Sequence, residues 1–122
     1  MCIRDSWSSP GYADLMTGTS SDASFAEAYV NGAVDTDIAL DAYDSALKNA
    51  TVLADRSGVG RKGLESSIFL GYTPEETHES VSWSLEGFIN DYAIGKMAAK
   101  LAEDPETPEE RRAQLGLSLI HI

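Results

Sequence analysis

The chain has 122 residues, 20 acidic against 9 basic, and a net charge of −11. So acidic a balance argues against nucleic acid and anionic membrane surfaces as partners, because both are polyanions. No stretch approaches the roughly 20 apolar residues of a membrane span, and the length suits one small domain.

The first stretch, "MCIRDS", is not a targeting signal. A secretory leader needs an apolar run of roughly 7–15 residues and a small-residue cleavage site, and Met1–Ser6 has neither. It back-translates as ATG-TGT-ATA-AGA-GAC-AG, and the closing "LSLIHI" as CTG-TCT-CTT-ATA-CAC-ATC. The two are reverse complements and match the inverted end of a transposase-type sequencing adapter. Residues 1–6 and 117–122 are therefore expected to be translated adapter scars, with 7–116 part of a longer chain cut at both ends. Cys2 falls in the first scar and His121 in the second. The remainder then has no cysteine, which excludes disulfide and thiol chemistry, and His78 as its one histidine.

Pro10-Gly11 marks a turn-rich entry. "GTSSD" at 18–22 offers Ser20, Ser21 and Asp22 as caps for a helix over 22–31, with Phe25, Ala28 and Tyr29 at helical spacing and Gly32 as its stop. Asp35-Thr36-Asp37 caps a second helix over 36–52, whose apolar face is Ala39, Ala42, Tyr43, Ala46, Leu47 and Ala50. The glycines of "DRSGVGRKG" at 55–63 make a loop. A short apolar element over 64–70 follows, stopped by Gly71. "TPEE" occurs at 73–76 and again at 107–110. Thr at N-cap, Pro at the first helical position and Glu two further on form a capping box, so each should start a helix. The first leads into the longest, over 79–103, which Asp104-Pro105 ends because the residue before proline is pushed out of the helical region. The second starts one near Pro108. No run has the period-2 alternation of a half-buried strand, so the fold class is all-α.

The long helix is apolar nearly all round. Val81, Leu85, Phe88, Tyr92, Gly95 and Ala99 make one face; Ile89, Ala93, Met97 and Leu101 make much of another. Such a helix is expected to be buried. Ser82, Glu86 and Asn90 nevertheless lie on one line along it, with Glu79 and Trp83 beside them. A buried carboxylate costs several kcal/mol unless it is paired or wet. The stripe is therefore either a satisfied buried network, a solvated face, or the wall of a pocket.

Other motifs carry little chemistry. "DTDIALD" at 35–41 lacks the glycine and third acid of a calcium loop, and reads as a helix cap. "GVGRKG" at 58–63 lacks the Lys-Ser/Thr of a phosphate loop. Asn49-Ala50-Thr51 is a formal glycosylation acceptor near a helix end. His78 has no second His or Cys at metal-ligand spacing and reads as a surface residue.

Three blocks, "WSSPGYADLMTGTSSDASFAEAYVNG", "GRKGLESSIFLGYTP" and "ESVSWSLEGFINDYAIGKMA", resemble consecutive blocks of glycoside hydrolase family 92, a family of exo-acting α-mannosidases. In the third block Ser80, Val81, Ser82, Leu85, Glu86 and Asp91 match the family pattern. Trp83 stands where Arg is commoner, and Asn90 where a second Asp is commoner. The resemblance implies that 7–116 is part of an (α/α)6 barrel catalytic domain. It also implies a calcium-dependent, inverting enzyme, secreted or periplasmic, that releases terminal mannose from mannose-containing glycans. Inversion needs an acid and a base roughly 6.5–9.5 Å apart. In the family these lie in Gly-Asn-Glu-Pro and Gly-Asn-Asp-Asp motifs, and neither occurs here. The chain by itself is therefore expected to hold no catalytic residue and no identified calcium ligand, and to be inactive. Ser82, Trp83 and Glu86 are expected to face the glycone pocket, with Asp22 approaching it from the start of its helix. The alternatives are a helical interaction module without catalysis, or another (α/α)6 carbohydrate enzyme such as a lyase.

Overall fold

The computed structural model describes residues 18–55 and 59–121. Five helices follow in order: α1 Ser21–Val30, α2 Thr36–Thr51, α3 Leu64–Leu70, α4 Ser80–Glu103 and α5 Glu109–His121. No strand occurs among the described residues. The fold is all-α, as the periodicity predicts, and each helix lies where its apolar spacing and breakers place it.

α4 is the central element, and α1, α2 and α5 all pack on it. Its buried line is Trp83, Asn90, Ile94, Met97, Ala98 and Leu101. Ala26 and Tyr29 from α1, Ala39, Tyr43 and Ala46 from α2, and Leu115 from α5 complete the core. The alanines are fully buried, and their small side chains let the helix backbones approach closely while the larger Ile94, Met97 and Leu101 fill the space between them.

Asp104, the C-cap of α4, clasps three elements. It accepts hydrogen bonds from the Tyr29 hydroxyl at 2.6 Å, from the Thr36 hydroxyl at 2.8 Å and from the Glu106 amide at 2.9 Å. The Tyr29 bond, then those from Glu106 and Thr36, hold its carboxyl below the ordinary 3.8. Burial, and then the Asp104 carboxylate, push Tyr29 up from its ordinary 10.0. Lys100 donates to the carbonyls of Tyr29 and Val30, both at 2.9 Å, neutralising the C-terminal end of α1. Arg111 of α5 pairs with Asp44 of α2.

Two expectations are corrected. The first "TPEE" does not start α4. Pro74–Glu79 forms successive turns, with the Thr77 amide donating to Pro74 O at 3.0 Å and the Ser80 amide to Thr77 O at 3.1 Å. The chain then reverses through Glu79 in the left-handed region, φ 59, before Ser80 begins the helix. The second "TPEE" does open α5: the Pro108 carbonyl accepts from the Arg111 and Arg112 amides. The Thr107 hydroxyl, though, is buried without a hydrogen-bond partner, so the capping box itself does not form.

The second correction concerns α4, which is not buried all round. Val81 is 70 % exposed, Tyr92 68 %, and Leu85, Phe88 and Ile89 at least 50 %. α1, α2 and α5 cover one side of the helix, and the segment after α3 meets its first half where the Thr73 amide donates to Ser84 Oγ. Ile68 and Phe69 of α3 are exposed as well.

Candidate functional site

A groove of about 720 Å³ runs between the end of α2, the loop before α3, α3 itself and one flank of α4. Arg61, Lys62, Tyr72, Trp83, Asp91 and Tyr92 line it. Two lysines stand over rings on its wall, Lys62 5.9 Å from the centre of Trp83 and Lys96 5.3 Å from that of Tyr92.

Behind the groove is a polar cluster drawn from four segments. Asp22, in the first turn of α1, is buried. It accepts from the Thr19 hydroxyl at 2.6 Å and from Asn49 Nδ2 of α2 at 2.9 Å. Arg61 Nη2 approaches it at 3.7 Å, within ion-pair reach though too long for a hydrogen bond. Arg61 Nη1 donates to Asp91 Oδ1 of α4 at 2.6 Å. The Arg61 side chain is itself only 9 % exposed and Asp91 36 %. Burial raises the Asp22 carboxyl above its ordinary 3.8, outweighing Thr19, Asn49 and Arg61, which all pull it down. One guanidinium thus bridges an acid sealed in the core and an acid on the groove wall.

The expected site residues separate. Trp83 lies on the groove, and Asp22 lies behind it through Arg61. Ser82 is exposed and Glu86 half-buried, and neither lines the groove. A methyl group at Gly18 would stand 3.0 Å from Glu86 Cβ, so Glu86 packs beside the start of α1 rather than across from α3. Asn90 is buried in the core face of α4, and neither end of its amide finds a partner. Asn49, the formal glycosylation acceptor, has its amide nitrogen taken by Asp22.

Thr19, Asn49, Arg61 and Asp91 as a cluster escape sequence reasoning. Arg61 sits in "GRKG", which reads as a loop without a phosphate-binding partner. Its role depends on two acids from different helices, one of them 30 positions away.

The described residues do not fit a calcium ion. No group of three or more His, Cys, Asp or Glu side chains among them could hold a metal. The two acids nearest the groove both face the Arg61 cation.

Residues 3–114 match the glycosyl hydrolase family 92 catalytic domain. The chain belongs to glycosyl hydrolase family 92. No curated protein matches it. Family 92 membership supports a glycoside hydrolase and disfavours the non-catalytic helical module and the lyase. It also covers the three blocks whose residues build the site: Thr19 and Asp22 in the first, Arg61, Lys62 and Tyr72 in the second, Trp83 and Asp91 in the third.

Proposed function

We propose that this chain is one wall of the catalytic domain of a calcium-dependent, inverting α-mannosidase that releases terminal mannose from glycans. The observation that carries the reading is the family 92 match over residues 3–114. The groove supports it chemically. The exposed Tyr92 ring offers an amphipathic surface for the C–H face of a sugar, and Asp91 offers an acceptor for its hydroxyls.

The described part of the chain contributes binding and not bond cleavage. Inversion takes a carboxylic acid on the leaving oxygen and a carboxylate on the attacking water, roughly 6.5–9.5 Å apart. Asp91 is the only carboxylate on the groove wall among the described residues, and it is engaged by Arg61. The acid, the base and the calcium ligands are proposed to come from elsewhere in an (α/α)6 barrel, and the chain alone is proposed to be inactive. Export to the periplasm or medium is proposed on the same family reading.

The test is to express the complete protein that contains this chain and assay it on α-linked mannobiose, with and without a calcium chelator. Mannose release that stops on chelation supports the reading. A folded protein that leaves every α-mannoside intact contradicts it.

A further inference from the structure

The geometry points to Asp91, a residue that the sequence expectation passed over in favour of Glu86, as the acceptor that holds a hydroxyl of a neutral sugar in the groove. Arg61 and Asp22 act as its positioning residues. This rests on the glycoside hydrolase reading of the groove and narrows it to one carboxylate and one class of ligand, an uncharged polyol ring.

Three observations carry it. First, Asp91 is oriented by one oxygen only. Oδ1 takes the Arg61 hydrogen bond at 2.6 Å, while Oδ2 has no partner among the described residues, and the side chain is 36 % exposed on the groove wall. A carboxylate oxygen with vacant lone pairs is a strong acceptor for a hydroxyl donor. Second, the group that orients it is buried, and its Nε also donates to Thr19 Oγ1 at 3.4 Å. Arg61 is 91 % buried by its 9 % exposure, and Asp22 draws on it from behind at 3.7 Å. Asp22 in turn is fixed by Thr19 and Asn49. A planar guanidinium fork held at both sides sets the angle of the carboxylate it meets. A site residue locked by a second layer of buried contacts is what tight recognition requires. Third, Tyr92 lines the same groove and is well exposed, so a ring bonded to Asp91 has aromatic surface beside it. The engagement of Asp91 with Arg61 disfavours a metal ion at this carboxylate.

Glu86 lacks this arrangement. It lies off the groove, beside Gly18, with no ion pair to a described cation.

The test uses the complete protein and a panel of neutral methyl glycosides (mannose, glucose, galactose), with affinity by calorimetry and folding by thermal melt. Asp91→Asn keeps the oxygen that Arg61 needs but loses the carboxylate, so Tm should stay within a few degrees and Kd should rise about tenfold. Arg61→Lys keeps the charge but not the fork, and should weaken affinity by a smaller factor. Rescue by Asp91→Glu is expected to be partial.

Unchanged affinity in Asp91→Asn overturns the inference while leaving the mannosidase reading intact. So does a loss confined to Glu86→Gln. Binding of a glycoside other than mannose, lost in Asp91→Asn, supports the inference and contradicts the mannose reading. A folded protein that binds no member of the panel overturns both.

Discussion

Gly63 shows how narrowly single residues are constrained around the groove. It has φ +67, and a methyl there would stand 2.7 Å from Thr77 Oγ1 and 2.8 Å from Thr73 Cγ2. Left-handed geometry alone costs a side-chain-bearing residue about 1–2 kcal/mol, and the clash with the Pro74 turn adds to it. Gly63→Ala should therefore lower Tm sharply, whereas Gly32→Ala, with open space around it, should show only the backbone cost. Titration at Asp104 and Asp22 has opposite signs. Asp104 lies below its ordinary 3.8, so its contribution is present above that pH and is lost as pH falls below it. Asp22 lies above 3.8, so its charge costs stability at neutral pH, and protonation relieves that cost as pH falls toward 3.8. Asp104→Asn should flatten the loss of Tm below about pH 4; a variant that still loses stability as steeply there would contradict the clasp. The Arg61 cluster could not be read from the residues alone. A lone arginine in a glycine-rich loop has no local signal, and its partners are set by how α1 and α4 pack.

The helices themselves were legible because each carries its own period and punctuation. Ala39, Tyr43 and Ala46 share a face of α2, Gly71 stops α3 in the left-handed region, and Asp104-Pro105 ends α4. Two features were not legible. The capping-box pattern at Thr73–Glu76 is a local preference, and here the Thr73 amide instead donates to Ser84 Oγ at 2.9 Å while Glu79 takes the reversal. Relief of that strained position gives a prediction: Glu79→Gly should raise stability, by less than about 1 kcal/mol, measured by denaturant titration; a fall would show that the Glu79 side chain carries an interaction of its own. The buried side of α4 was also ambiguous, because apolar residues stand on both sides and only its partners decide between them. Leu85, Phe88 and Tyr92 lost that competition within this chain. If the uncovered side is the seam to the rest of a catalytic domain, Leu85→Asp and Ile89→Asp in the complete protein should each destabilise by about 2–5 kcal/mol, as buried apolar losses do. Near-neutral effects there would mean that the side stays in water.

At the scale of the whole molecule, what holds this chain together is one side of α4. Away from the groove, α4 exposes Val81, Leu85 and Ile89. A contiguous apolar surface larger than a few hundred Å² is unusual on a monomer and calls for a partner. The chain by itself should bind a hydrophobic dye and self-associate, and a sharp melt of a soluble monomer would contradict the view that it is one wall of a larger domain. Family 92 membership supports the hydrolase. The most direct measurement is proton NMR of that protein acting on α-linked mannobiose. The account predicts that free mannose appears first as the β-anomer, the product of inversion at an α-linkage. No mannose at all, from protein that is demonstrably folded, would contradict the substrate assignment, and the α-anomer appearing first would contradict the mechanism.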